Sequence, residues 1–321
     1  MIAALALLAT LVVALPHLLR LDNARPATAA ILWTAALTLR AATAISLALF
    51  LVVVFPETTA FKALIHWCKH TVLPVLHSDV EVHGHAIGTA AVVAPVVLIA
   101  LSLGAALVST IRAARAVADA LRGWSLGPGP QGSVIVGGPE VVVAAAGLLH
   151  PQIVVSAGAL AMLDDEELAA GLAHENGHIA RRHHLLFTYA ERCRAVAQML
   201  PGTRRAVSEL RFHLERDADE WALRRDHDPC ALASAICKAA TTRTATAPAM
   251  ATVAGGAIER RVDELMAEGP PPTGSVTRRI VDSAAVIMVC ITLMSLVAIP
   301  AQALAGGVGH VAEHSAHKCL P

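Results

Sequence analysis

The chain has 321 residues, of which 55% are hydrophobic and 16% charged, and its mean hydropathy is +0.60. Soluble domains are nearer half apolar and one quarter charged, so this composition indicates a membrane protein. We therefore expect the chain to contact the lipid bilayer. The formal net charge is zero and only 3% of the residues are aromatic, so we expect no direct contact with nucleic acid.

Four apolar stretches are long enough to cross the roughly 30 Å hydrocarbon core of a bilayer as helices. They cover residues 1–19, a segment within 27–55, about 86–111 and about 284–303. Because the first starts at Met1 with no basic segment and no clear cleavage site, we interpret it as a retained span. The second contains Arg40, whose side chain we expect to snorkel to the interface; burial of this charge in the helix bundle is the alternative.

The Lys and Arg residues near the span ends predict the orientation of the chain. The residues that carry this bias are Arg20, Arg25, Arg112, Arg115, Arg122, Arg278 and Arg279 on one side and Lys62, Lys69 and Lys318 on the other. We therefore expect a multi-pass protein of the cell membrane with both termini outside and residues 112–279 in the cytoplasm. Residues 1–111 would hold three spans and an external loop at about 56–85, residues 280–303 the fourth span, and residues 304–321 an external tail.

Short strands are predicted at the start of the cytoplasmic segment. Residues 127–132 are rich in Gly and Pro, which indicates a turn or linker. The β-branched runs at Val134–Val136, 141–143 and Gln152–Ser156 predict three strands.

Helices are predicted over most of the remaining cytoplasmic segment. Asp164 forms a capping pair with Glu167, and apolar residues recur at helical spacing from there to about Arg194. The other predicted elements are a helix over about 204–225, a loop over 241–256 and an amphipathic helix around 258–266.

An H-E-x-x-H motif, formed by residues 174–178, lies inside the first of these helices. The i, i+4 spacing places His174 and His178 on one face, where both imidazoles can bind one Zn²⁺ ion. Glu175 would be the general base that takes a proton from a water activated by the metal. The chain therefore predicts one catalytic zinc, which requires a third protein ligand.

The third ligand is predicted on the next helix, which carries the sequence E-x-x-A-D. We assign Glu215 as the ligand and Asp219 as the acceptor that orients a ligand histidine. A chance H-E-x-x-H on a polar helix is the alternative. The second motif favours the zinc site, as does Gly177, whose cost to a helix of roughly 1 kcal/mol suggests close packing beside the metal.

These motifs resemble those of membrane-bound gluzincin peptidases. The resemblance is carried by HPQIVVSAGALAMLDDEELAAGLAHENGHIARRHH at 150–184 and by ERDADEWAL at 215–223. Three spans before the domain and one after it are similar to the BlaR/MecR-type antibiotic sensors, whereas the HtpX type usually has two and two. The implied fold is mainly α: a four-span membrane helix bundle with an α+β zincin-like cytoplasmic metallopeptidase domain between spans three and four.

The resemblance implies an endopeptidase that cleaves a protein substrate, such as a winged-helix transcriptional repressor, or itself, in response to an external signal. We expect no external penicillin-binding domain like that of those sensors, because only residues 304–321 follow the fourth predicted span. An HtpX-type quality-control protease and a non-catalytic zinc-containing receptor are the alternatives. The retained Glu175 argues against the receptor, and the sequence leaves open whether the chain forms a homo-oligomer.

Two further segments near the motif have competing interpretations. By analogy with gluzincins, the strand formed by Gln152, Ile153, Val154, Val155 and Ser156 would be the sheet edge that pairs with an extended substrate. An ordinary sheet strand is the alternative. The basic run at 181–184 could stabilise an oxyanion, but we favour a solvated helix end.

Eight of the 16 histidines fall on the predicted outer face. They are His66, His70, His77, His83, His85, His310, His314 and His317. Metal or pH sensing is one hypothesis for them, and a polar loop and tail is the interpretation we favour. Cys68 and Cys319 lie on the same side and could form a disulfide.

Overall fold

The computed structural model describes residues 21, 24–53, 59–67, 70, 84–148, 150–246 and 248–267. The described part is mainly helical, with one small sheet. Its helices are α1 (Pro26–Val53), α2 (Thr59–Trp67), α3 (Gly84–Trp124), α4 (Ala157–Met162), α5 (Asp165–Ala180), α6 (His183–Val196), α7 (Thr203–Leu223), α8 (Pro229–Thr246) and α9 (Pro248–Met266). Its strands are β1 (Ser125–Pro128), β2 (Val134–Val136), β3 (Val143–Ala146) and β4 (Gln152–Ser156).

Two helices among the described residues are long and apolar enough to cross a membrane. The qualifying segments are Pro26–Ala48 in α1 and Val97–Ala116 in α3. They overlap in part with the second predicted span, within 27–55, and the third, at about 86–111. The first and fourth predicted spans, the external tail and both Cys68 and Cys319 lie outside the described residues.

Arg40 is buried, contrary to the expectation that it snorkels to the interface. Its side chain is 0% exposed, and its Nη1 donates to the carbonyl oxygen of Pro201 at 2.6 Å and to Thr203 Oγ1 at 3.3 Å. Small residues near it on α1, Ala36, Ala41 and Ala44, belong to the core that α1 forms with α6 and α7. The buried charge therefore ties α1 to the turn before α7.

Helices α1, α3 and α6 pack together. The apolar side of α1 forms one core with α6 and α7, including Leu37, Val196 and Leu210. On its other side α6 meets α3, where Arg192 Nη1 donates to the Ala106 carbonyl oxygen at 3.0 Å and to Thr110 Oγ1 at 2.8 Å. Helix α6 is thus packed directly against both candidate spans.

The sheet has the order β1-β2-β4-β3. Strand β4 pairs in parallel with β2 and antiparallel with β3, so it is internal. The expectation that Gln152–Ser156 is the substrate-binding edge is therefore wrong, because its backbone groups are taken by both neighbours. The edge strand on this side is β3, which starts two residues later than the predicted strand at 141–143. Strand β1 was not predicted; it covers part of the expected turn at 127–132.

Two helix predictions also need correction. The single helix expected from Asp164 to about Arg194 is broken after α5, where Arg182 adopts a left-handed conformation with φ 55°. The loop expected over 241–256 is helical, in the end of α8 and the start of α9. Its many alanines favour a helix, and this preference outweighs the polar composition.

Candidate metal centre and active site

Helix α5 is fixed at its first turn by a capping box. Asp164 Oδ1 accepts a hydrogen bond from the Glu167 backbone N–H at 2.8 Å, and Glu167 Oε2 accepts one from the Asp164 backbone N–H at 2.9 Å. Glu167 also accepts from Ser234 and Lys238 of α8, each at 2.6 Å. The predicted capping pair is confirmed, and it holds the helix that carries the motif against α8.

His174, His178 and Glu215 converge on one point. The Nε2 atoms of the two histidines are 3.1 Å apart, and each lies 3.6 Å from an oxygen of Glu215 on α7. The three potential ligand atoms all lie within 4.8 Å of one another, so the group could hold a metal ion. The fold thus brings together the three residues that the sequence predicts as ligands.

Asp219 and Arg261 form a second layer around this group. Asp219 Oδ1 lies 2.8 Å from His174 Nδ1, on the side of the ring away from Glu215. Arg261 of α9 donates through Nε and Nη2 to Asp219, at 2.9 and 2.7 Å, and through Nη1 to Glu215 at 2.7 Å. Asp219 therefore stands where the sequence predicts, whereas Arg261 was not anticipated as part of the site.

The charges of these groups balance. Burial alone would lower the pKa of His174, but Asp219 and Glu215 outweigh it and raise that pKa to about 10. Burial and the charge of His174 lower the pKa of His178 to about 3. Burial would raise the pKa values of Glu215 and Asp219, yet His174 and Arg261 hold both below their usual range. The two carboxylates thus face two positive charges, the guanidinium of Arg261 and the protonated ring of His174. A metal cation could replace the proton on His174.

Glu175 borders the cleft beside this group. Its Oε2 accepts from the Ala145 backbone N–H of β3 at 2.7 Å. Burial raises the pKa of Glu175, with opposing effects from His174 and the Ala145 N–H. A raised pKa suits a carboxylate that accepts a proton near neutral pH.

Gly177 lies at the contact of α5 with α7. A Cβ atom there would lie 3.0 Å from the Cβ, Cγ and Cδ1 atoms of Trp221. The expectation that Gly177 permits close packing near the ligands is therefore confirmed, with Trp221 as the neighbour.

The basic run at 181–184 does not form the solvated helix end that we favoured. His183 is only 4% exposed; its Nδ1 lies 3.0 Å from His178 Nδ1 and its Nε2 lies 3.1 Å from Asp217 Oδ2. Arg181 Nη1 donates to both oxygens of Asp217, at 2.6 and 2.8 Å. Only Arg182 is exposed, because the turn between α5 and α6 directs its neighbours inwards.

A cleft of about 560 Å³ contains the site. Its floor holds His174, Glu175, His178 and Glu215, and β3 forms one rim. The wall next to the floor is largely apolar and is formed by Val141, Val143, Leu163, Leu232, Ile236 and Ile258. The cleft can therefore admit an extended chain with apolar side chains.

The groups assembled here define a class of protein. Two histidines of one helix, a carboxylate of a second helix and a further acid beside the cleft are the groups from which metallopeptidase sites are built. The profile of peptidase family M48 matches residues 128–209, from the end of β1 to the first turns of α7. This stretch includes the H-E-x-x-H motif, ends before Glu215, and is similar to family M48, which supports a metallopeptidase. No curated protein and no solved structure was found to match the chain.

Proposed function

We propose that this protein is an integral-membrane zinc endopeptidase with a regulatory role. The observation that carries the proposal is the convergence of His174, His178 and Glu215 within 4.8 Å, beside Glu175, in a cleft that can hold a peptide. The match to family M48 over residues 128–209 supports it independently of this geometry.

The donor set fits zinc. Two imidazole nitrogens and one carboxylate form a three-ligand set that leaves a position open, as a catalytic zinc requires. Arg261 supplies part of the positive charge that balances Glu215 and Asp219, and the zinc ion would take the place of the proton on His174. A zinc ion held there would supply Lewis-acid chemistry, polarising the scissile carbonyl and increasing the acidity of the attacking water.

The roles of the protein groups follow from their positions. Glu175, held by the Ala145 N–H, would take the proton of the attacking water and deliver it to the leaving amine. Asp219 would orient His174 through Nδ1, leaving Nε2 for the metal. Arg261 would keep Asp219 and Glu215 ionised and in place.

Strand β3 is the element best placed to bind the substrate backbone. Its pairing with β4 leaves one side of β3 facing the cleft, and the Ala145 N–H on that side already meets Glu175. Successive residues of an antiparallel strand direct their backbone N–H and C=O groups to alternate sides. Val143, two residues before Ala145, therefore also directs these groups towards the cleft. An extended substrate would pair with this edge and place apolar side chains against Val141, Leu232 and Ile236.

Membrane insertion is supported by α3. Large apolar side chains along its candidate span, among them Leu101, Leu103, Leu107 and Val108, are exposed. A surface of this kind is costly in water and favourable in lipid. We propose the topology expected from the Lys and Arg bias, with the catalytic segment in the cytoplasm and both termini outside.

The regulatory role rests on the order of spans and domain that the sequence predicts. We propose that the substrate is a cytoplasmic protein, such as a winged-helix repressor, or the chain itself. An enzyme with one regulatory substrate would cut few proteins, and only under inducing conditions. A quality-control protease would instead cut many membrane proteins.

The proposal is tested by comparing new protein N-termini in cells that carry the wild type or Glu175→Gln. The substitution keeps all three metal ligands and removes the base, so the cleavage rate should fall about 10²–10⁴-fold while zinc stays bound. N-termini that vanish with Glu175→Gln would identify the substrates. Identical N-termini in both strains under several inducing conditions, with zinc bound, would contradict a peptidase and favour a zinc-containing receptor.

A further inference from the structure

A chain of polar side chains leads from His178 away from the cleft. It runs from His178 Nδ1 to His183 Nδ1 (3.0 Å), from His183 Nε2 to Asp217 Oδ2 (3.1 Å), and from Asp217 to Arg181. His183 is 4% and Asp217 2% exposed. An apolar core of the same shape would be at least as stable as such a buried polar chain, so packing alone does not account for it.

The directions of the hydrogen bonds follow from the metal site. If His178 presents the lone pair of Nε2 to the metal, the neutral ring carries its proton on Nδ1. His183 Nδ1 must then accept, and the proton of His183 lies on Nε2, where Asp217 Oδ2 accepts it. Arg181 donates both to Oδ2 and to Oδ1, so the charge of Asp217 is compensated. In this arrangement the Nδ1 proton of His178 and the Nε2 proton of His183 each meet an acceptor.

The turn between α5 and α6 produces this contact. A helix continued beyond Ala180 would place residue 183 more than one turn from residue 178 and rotated away from it. The left-handed conformation of Arg182, with φ 55°, breaks the helix and turns His183 back towards His178. Non-glycine residues seldom adopt this conformation, which indicates that the surrounding structure imposes it.

We propose that His183 is a positioning residue for His178: it accepts the Nδ1 proton and thereby directs Nε2 to the metal, with Asp217 and Arg181 holding His183. This inference rests on the proposed zinc site and adds three residues to it. Each ligand histidine then has its own support. His174 is held directly by Asp219, and His178 is held by an aspartate through a second imidazole.

The test measures the zinc dissociation constant of the purified full-length protein by competition with a chromogenic chelator. His183→Leu removes the acceptor and should weaken zinc binding about 10–100-fold, the usual effect of losing an outer-shell partner. His183→Asn keeps an acceptor near the position of Nδ1 and should recover part of the loss. His213→Leu is the matched control, because His213 is also buried, on α7, but its ring contacts Arg216. This control should bind zinc as tightly as the wild type.

The outcomes separate this inference from the proposed function. A wild type that binds no zinc would overturn both. A wild type that binds zinc, with His183→Leu binding it equally well, would overturn only the role of His183. If His183→Leu fails to fold, as judged by thermal unfolding without metal, the comparison passes to His183→Phe, which also lacks the acceptor, and to Asp217→Asn. Wild-type zinc affinity in both of these would also overturn the inference.

Discussion

Arg261 shows how the site keeps two carboxylates, the buried Asp219 and the partly exposed Glu215, close together. Glu215 and Asp219 lie one helical turn apart, and like charges so near each other would normally favour protonation of one. His174 and the guanidinium of Arg261, which bonds to both carboxylates, together hold both pKa values low. Glu215 therefore remains ionised, as a metal ligand must be.

The site residues differ in how far the sequence predicts them. His174, Glu175 and His178 follow from helical spacing, which is a local property of the chain. Glu215 and Asp219 follow from a second local motif. Arg261 lies 46 residues after Glu215, and no local pattern indicates that their helices meet. Only the packing of α9 against α7 could reveal this partner.

Glu167 predicts a pH-dependent stability. Burial alone would raise its pKa, but Lys238, Ser234 and the Asp164 N–H lower it below the usual 4.5. A carboxyl group whose pKa is lower in the folded state stabilises the protein above about pH 4.5, and this contribution is lost as the pH falls through the folded-state pKa. Glu167→Gln should therefore lower the free energy of unfolding by about 1.5–3 kcal/mol at neutral pH, and the difference should shrink in acid.

Denaturant unfolding of both proteins over a pH series measures this difference. Glu166→Gln is the control, because Glu166 is exposed in the same helical turn, and it should change stability by less than about 0.5 kcal/mol. A Glu167→Gln difference that is the same at neutral and acid pH would show that the charge of Glu167 does not contribute.

At the level of elements, α5 carries two glycines with different surroundings. A Cβ on Gly171 would have Val143 as its nearest neighbour, at 3.9 Å, which is an ordinary contact. Gly171→Ala should therefore stabilise the protein by about 0.5–1 kcal/mol, because alanine favours a helix. Gly177→Ala gains the same helix propensity but meets three atoms of Trp221 at 3.0 Å, so it should be destabilising by about 1–2 kcal/mol.

The midpoint of thermal unfolding of the two variants measures this contrast within one helix. Equal stabilisation by both substitutions would show that Trp221 moves aside without cost, and that Gly177 is not required by the contact between α5 and α7.

The elements were predicted where the local pattern agrees with the tertiary structure. The capping box of α5 and strands β2 and β4 belong to this group. The break at Arg182 was missed because both α5 and α6 bury apolar residues, so the pattern continues across the turn. Strand β4 was assigned to the edge by analogy, although its run of buried residues from Ile153 to Val155 is typical of an internal strand.

At the scale of the whole molecule, the exposed face of α3 gives a direct test of membrane insertion. Leu107 lies mid-span and is 50% exposed. Lysine at the centre of a membrane span costs about 2.5–3.5 kcal/mol, so Leu107→Lys should reduce the amount of protein in the carbonate-resistant membrane fraction. Leu126→Lys is the matched control: Leu126 is 69% exposed but lies on β1, outside the candidate spans.

Membrane insertion of α3 would be supported if the Leu126→Lys variant is present in the carbonate-resistant membrane fraction in wild-type amounts and the Leu107→Lys variant is depleted from it. Equal amounts of both variants, or extraction of the wild type by carbonate, would contradict it.

The packing of α6 against α3 has a consequence for how substrates arrive. His183, beside the metal centre, and Arg192, bonded to the Ala106 carbonyl in the candidate span, are nine residues apart on α6, or about 13 Å along the helix. If α3 crosses the bilayer as proposed, this short length of α6 would keep the cleft close to the membrane. A substrate anchored in the same membrane then searches for the cleft in two dimensions, at a high effective concentration. A freely diffusing protein needs a recruiting contact to compete, so membrane attachment itself becomes a determinant of specificity.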